Sequence, residues 1–91
     1  MNKISWRDLA NSQGTKIIWS VLNIDEVYAN ILLDSVSGNY IFYSSDLGIM
    51  PSKAVDLKTS NIETAKDSAE YLITNRLNAL FNAMLHLERW K

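Results

Sequence analysis

No Gly or Pro interrupts the chain between Thr59 and Lys91, and apolar residues recur there at helical spacing. One long amphipathic helix fits such a run, so the rest of the fold has to be built to cover it. Ser60 and Glu63 have the spacing of a capping box, in which the serine oxygen accepts the N–H three residues on and the glutamate reaches back. Arg89 and Lys91 place positive charge where the helix dipole favours it. In the first half, Ile62, Ala65, Ala69, Leu72 and Ile73 form a stripe of ordinary width. In the second half, Leu77, Leu80, Phe81, Ala83, Met84, Leu85, Leu87 and Trp90 leave only a narrow polar strip of Asn75, Asn78, Asn82, His86 and Arg89. A helix that is apolar nearly all round is buried on more than one side, which predicts a partner surface against its second half.

Length sharpens that expectation. Thirty helical residues at ~1.5 Å each span about 45 Å, whereas a compact body of this chain length has a diameter of about 30 Å. A continuous helix therefore overhangs its own sheet by two turns or more. Either it bends near Asn75 to Asn78 and folds back in a monomer, or another subunit covers the overhang. The all-round apolar pattern begins at Leu77, which favours the second account. The expected interface is Leu77, Phe81, Met84, Leu85, His86, Arg89 and Trp90. The expected assembly is a homodimer through the C-terminal helix, with Leu77 to Trp90 of two copies packed antiparallel. Such a pair buries Phe81, Met84, Leu85 and Trp90 and keeps Arg89 and Lys91 away from their copies.

Upstream, the sequence is β-type. Thr15 to Leu22 is rich in β-branched and aromatic residues, with Ile17, Trp19 and Val21 on one face. Tyr40 to Ser45 reads as a short strand following Ser35-Val-Ser-Gly-Asn39, where Gly38 and Asn39 supply the positive φ of a turn. Glu26 to Asp34 alternates as a strand through Val27, Ala29, Ile31 and Leu33. It also satisfies helical spacing through Ile24, Val27, Tyr28, Ile31 and Leu32, with Asp25 as a cap. The strand reading is preferred because Tyr40 to Ser45 needs a neighbour. Ile4 to Leu9 reads as a short strand or turn, Asp46 to Ser52 as the one substantial loop, and Ala54 to Leu57 as a short edge strand. The fold class is α+β: one domain over residues 1–91, in which an antiparallel sheet of three to five strands (1–58) is covered on one face by the C-terminal helix (59–91). The expected core is Ile17, Trp19, Val21, Ile31, Leu33, Phe42, Ile62, Ala65, Ala69, Leu72, Ile73 and Leu80.

Composition narrows function by exclusion. The formal net charge is -1 and no basic stripe is present, so the electrostatic footprint of a general nucleic-acid binder is missing. The absence of cysteine removes disulfides, thiol catalysis and cysteine–metal sites, and fits a reducing cytoplasm. Met1 to Leu9 carries Lys3 and Arg7 but no apolar signal-peptide core, and runs such as Ile31 to Leu33 are too short to span a bilayer. A cytoplasmic protein without membrane contact is expected.

His86 is the single histidine. Its helical neighbours Asn82, Ala83, Arg89 and Trp90 include no carboxylate, so it reads as a residue of the polar strip and not as a base or ligand. Asp25-Glu26 and Asp67-Glu70 are too sparse for a metal. Ser44-Ser45-Asp46 and Gly48 lack the lysine and glycine run of a phosphate loop and read as loop formers. Trp19 reads as core, while Trp90 has to dock either on its own sheet or on another chain. No catalytic residue, metal or cofactor is expected. The alternatives are a small DNA-binding regulator, which needs a helix pair and a basic patch, and a small metal-dependent hydrolase or nuclease using Asp25, Glu26 or His86.

The layout Trp19, Tyr28-Ala29, Gly38-Asn39-Tyr40-Ile41-Phe42 and Glu63-Thr64-Ala65-Lys66-Asp67-Ser68-Ala69-Glu70 resembles that of small phage and prophage accessory proteins, over about Lys16 to Arg76. Family members with known roles bind and block a host protein, as anti-CRISPR and anti-restriction proteins do. The resemblance therefore implies a non-enzymatic inhibitor of a host defence system that works by steric binding to a host or phage protein. The chain departs from that layout in its long apolar C-terminal end.

Overall fold

The computed structural model describes residues 5–89. Five strands, β1 (Trp6–Ala10), β2 (Ile17–Ile24), β3 (Val27–Leu33), β4 (Tyr40–Tyr43) and β5 (Val55–Asp56), precede one helix, α1 (Ile62–Arg89). The strands form a single antiparallel sheet in the order β1-β2-β3-β4-β5. Strands sequential in the chain are neighbours in the sheet, which makes it a meander, with a longer connection over residues 44–54 between β4 and β5; the architecture is the α+β layout expected, with all five strands present. The strand reading of Glu26 to Asp34 holds, because β3 lies between β2 and β4. No described helix is long and apolar enough to cross a membrane.

The β2–β3 hairpin closes on Asp25 and Glu26, with Ile24 opposite Val27. Asp25 takes φ 56°, a left-handed conformation that Asp tolerates better than most residues. In the β3–β4 loop only Gly38, at φ 78°, is left-handed; Asn39 is not. The Asp34 carboxylate organises that loop by accepting Val36 N–H at 3.1 Å and the Ser37 hydroxyl at 2.9 Å.

The face under α1 buries Leu22, Ala29, Ile31, Tyr40 and Phe42 against Ala65, Ala69 and Ile73, with Leu47 from the β4–β5 loop. Ala65, Ala69 and Ile73 stand four apart on one row, and the two alanines let the helix approach the sheet closely. Two features depart from expectation. The inward face of β2 is Ser20 and Leu22, while Trp19 is 39% exposed and Ile17 and Val21 are half-buried. The reason is register: the two-residue turn pairs Ser20 with Ile31 and Ile31 with Phe42, so an inward Ile31 turns Trp19 outward. Leu80 is 42% exposed, because α1 has left the sheet by that point. The helix cap also shifts by one residue. Asn61 Oδ1 accepts Thr64 N–H at 3.0 Å, so Asn61 and not Ser60 closes the N-terminus.

Candidate interaction surfaces

Polar ties fix where α1 lies. Lys66 Nζ donates to Asp8 Oδ2 at 3.0 Å, and Trp6 Nε1 donates to Glu70 Oε2 at 2.9 Å. Four helical residues rise about 6 Å and two strand residues about 6.6 Å, and the ties step back from Asp8 to Trp6 as α1 advances from Lys66 to Glu70, so α1 lies along β1 and runs antiparallel to it. Farther along, Arg76 Nε donates to Leu47 O at 2.8 Å, at the sheet end that carries the β2–β3 turn. Beyond that contact α1 continues to Arg89, about 20 Å, over no part of its own sheet. The molecule accordingly measures 56 × 29 × 18 Å with a radius of gyration of 14.8 Å, against about 12 Å for a compact chain of this length.

Every residue from Thr74 to Leu87 is exposed. The large apolar ones are Leu77 (39%), Leu80 (42%), Phe81 (60%), Met84 (65%), Leu85 (45%) and Leu87 (66%). With each residue turning about 100°, these six share an arc of roughly 160°. At roughly 200 Å² for a large side chain left wholly in water, they expose about 600 Å², at the upper end of what a monomer shows in one patch. Of the expected interface, Leu77, Phe81, Met84 and Leu85 lie on this arc of the free half of α1, while His86 stands on the opposite side of the helix. Arg89 ends the helix, and Trp90 and Lys91 lie outside the described residues. The helix is continuous, so the fold-back near Asn75 does not occur.

A second apolar surface escaped the reading of the sequence. On the sheet face opposite α1, the register sets Leu9 beside Trp19, Leu32 and Ile41, and Val21 beside Asn30 and Tyr43. Trp19 Nε1 donates to Asn30 Oδ1 at 3.1 Å, which ties the indole to β3. The signal was present in β2 and β3, whose alternate positions are apolar on both faces.

The chemistry-bearing side chains elsewhere serve the fold. Ser20 donates to Asp8 Oδ1 at 2.5 Å. Burial alone would raise the Asp8 carboxyl, but the Ser20 hydroxyl and then the Lys66 hydrogen bond and charge outweigh it, holding the group below its ordinary value. Burial, and then the Asp8 charge, push the Tyr40 phenol up; its O–H donates to Ile17 O at 2.6 Å. Asp46 accepts Tyr28 N–H at 2.8 Å and Ser44 donates to Tyr28 O at 2.6 Å, so the Ser44–Gly48 turn is stitched to β3. Asp25 and Glu26 sit in the β2–β3 turn, while His86 lies ten residues, roughly 15 Å of helix, past the Arg76 contact. Among the described residues no three metal-ligating side chains converge.

No protein-family model matches the chain, and no curated protein or solved structure matches it significantly. The surfaces themselves therefore carry the functional argument. What they offer is apolar area in an extended, preformed shape.

Proposed function

We propose that the chain is a non-enzymatic protein–protein interaction module that acts through the free half of α1. The observation that carries this reading is the uncovered stripe of Leu77, Leu80, Phe81, Met84, Leu85 and Leu87. A helix of this kind has little reason to persist in water alone. Isolated helices of some 12–15 residues are marginal even with good helix formers, and here the burial of an apolar face has to be supplied by a partner. Large aromatic and Met side chains on a rigid helix also match the anchors that dominate binding energy at protein interfaces. The resemblance of the layout to that of phage accessory proteins suggests a narrower version, in which the module blocks a host defence component by steric occlusion.

Capture experiments test this. The wild-type chain and a Leu80→Asp/Phe81→Asp/Met84→Asp/Leu85→Asp variant, altered only at exposed positions of the free half, are immobilised and exposed both to bacterial lysate and to a differently tagged copy of the chain. Specific capture by the wild type, lost in the variant while its melt is unchanged, supports the reading. Capture retained by the folded variant, or none by either chain, overturns it.

A further inference from the structure

The row of α1 that packs on its own sheet, Ala65, Ala69 and Ile73, passes Arg76, which is tied to Leu47 O, and continues through Leu80, Ala83 and Leu87 with nothing beneath it. We infer, resting on the interaction reading above, that a second copy fills that space: the free half of each α1 lies on the outer sheet face of the other copy. Leu77, Leu80, Met84 and Leu87 then meet Trp19, Val21, Leu32 and their neighbours.

Three observations support this occupant. The first is length. The free half of α1 runs about 20 Å along the line of the strands, and β3, with seven residues, is about 23 Å long. The second is closure. Because α1 leaves the sheet past the β2–β3 turn, a two-fold axis in the sheet plane and across the strands sets the two sheets end to end with opposite faces up. Each helix then covers the inner face of its own sheet and the outer face of the other, and the same operation satisfies both patches at once. The third is area. At roughly 200 Å² for a fully exposed large side chain, the downward tail residues and the outer sheet face contribute about 400 Å² each. That makes about 800 Å² per protomer, the size of a standard stable interface. Phe81 and Leu85 stand on the flank of the helix in this arrangement, open to a further protein.

The chain has no cysteine, so single-cysteine variants report directly on which surfaces meet. Light scattering of the wild type is expected to give twice the 10.4 kDa chain mass at ~100 µM, well above the range of a useful dimer. A mixture of Leu32→Cys and Leu87→Cys chains treated with a short bismaleimide is expected to yield covalent dimer. Met84→Cys alone is expected to yield little, since the two Met84 positions lie on opposite sides of the joined sheets. A mass of 10.4 kDa overturns the inference. So does a dimer in which Met84→Cys links to itself, which means that the helices pack on each other, and so does a dimer without the 32–87 link. A monomer that still captures a foreign protein through Phe81 and Leu85 sinks this inference alone and leaves the interaction reading standing.

Discussion

Two alanines on α1 separate the half of the helix that builds the fold from the half that does not. Ala69 and Ala83 are fourteen residues apart, which brings them within about 40° of the same azimuth. Yet Ala69 is fully buried and Ala83 is exposed. Ala69→Arg forces a long charged side chain between α1 and Ile31 and Phe42. Desolvating an unpaired guanidinium costs several kcal/mol, and overpacking adds about 1–3 kcal/mol. A chain of this length has roughly 5–14 kcal/mol of total stability. At about 4–8 °C per kcal/mol, the midpoint should fall by more than about 20 °C, or the variant should be unfolded at 25 °C. Ala83→Arg exchanges two good helix formers on a surface that contributes nothing to the single-chain core. Its melt, read by far-UV circular dichroism at low micromolar concentration where association contributes least, should stay within a few degrees of wild type. A cooperative Ala69→Arg melt close to wild type would refute the assigned helix face.

Asp8 is held below its ordinary value of 3.8 in the folded state, so its contribution is present above that pH and fades as pH falls through the folded value. Asp8→Asn should be less stable than wild type at neutral pH and should lose less stability on acidification; parallel acid limbs in urea titrations would contradict the Asp8–Lys66 tie. Asn61→Ala should cost about 1 kcal/mol, whereas Ser60→Ala should be near neutral; the reverse order in chemical denaturation would restore Ser60 as the cap.

How far the fold was legible depended on which physical signal each element carried. The meander and the helix follow from alternation, turn residues and the long run without Gly or Pro, and these are local. The outward turn of Trp19 is not local. Choosing between Ile17-Trp19-Val21 and Ser20-Leu22 on β2 requires knowing that the Asp25-Glu26 turn has two residues, which pairs odd positions of β3 with even positions of β2. Hydrophobicity argued for the wrong face, since it sets a tryptophan against a serine. Ser20 is tolerated inside because Asp8 accepts its hydroxyl hydrogen, and no single-strand pattern shows that bond. The free half of α1 was legible from length alone, because a helix longer than its sheet has to extend beyond it. The outer sheet face is hidden in the sequence for the same reason as the outward turn of Trp19, since Trp19 and Val21, which lie on it, read as core.

The proposed assembly rests on the free half of α1 being covered by a second copy, and backbone amide exchange reads that coverage residue by residue. Exchange of the Leu77 to Leu87 amides should slow as the protein concentration is raised from about 1 to about 500 µM, because only the associated helix is fully held. The amides of Ala65 to Ile73, packed on their own sheet, should change far less. Rates for Leu77 to Leu87 that stay fast and unchanged over the whole range would show an uncovered helix end and contradict the account.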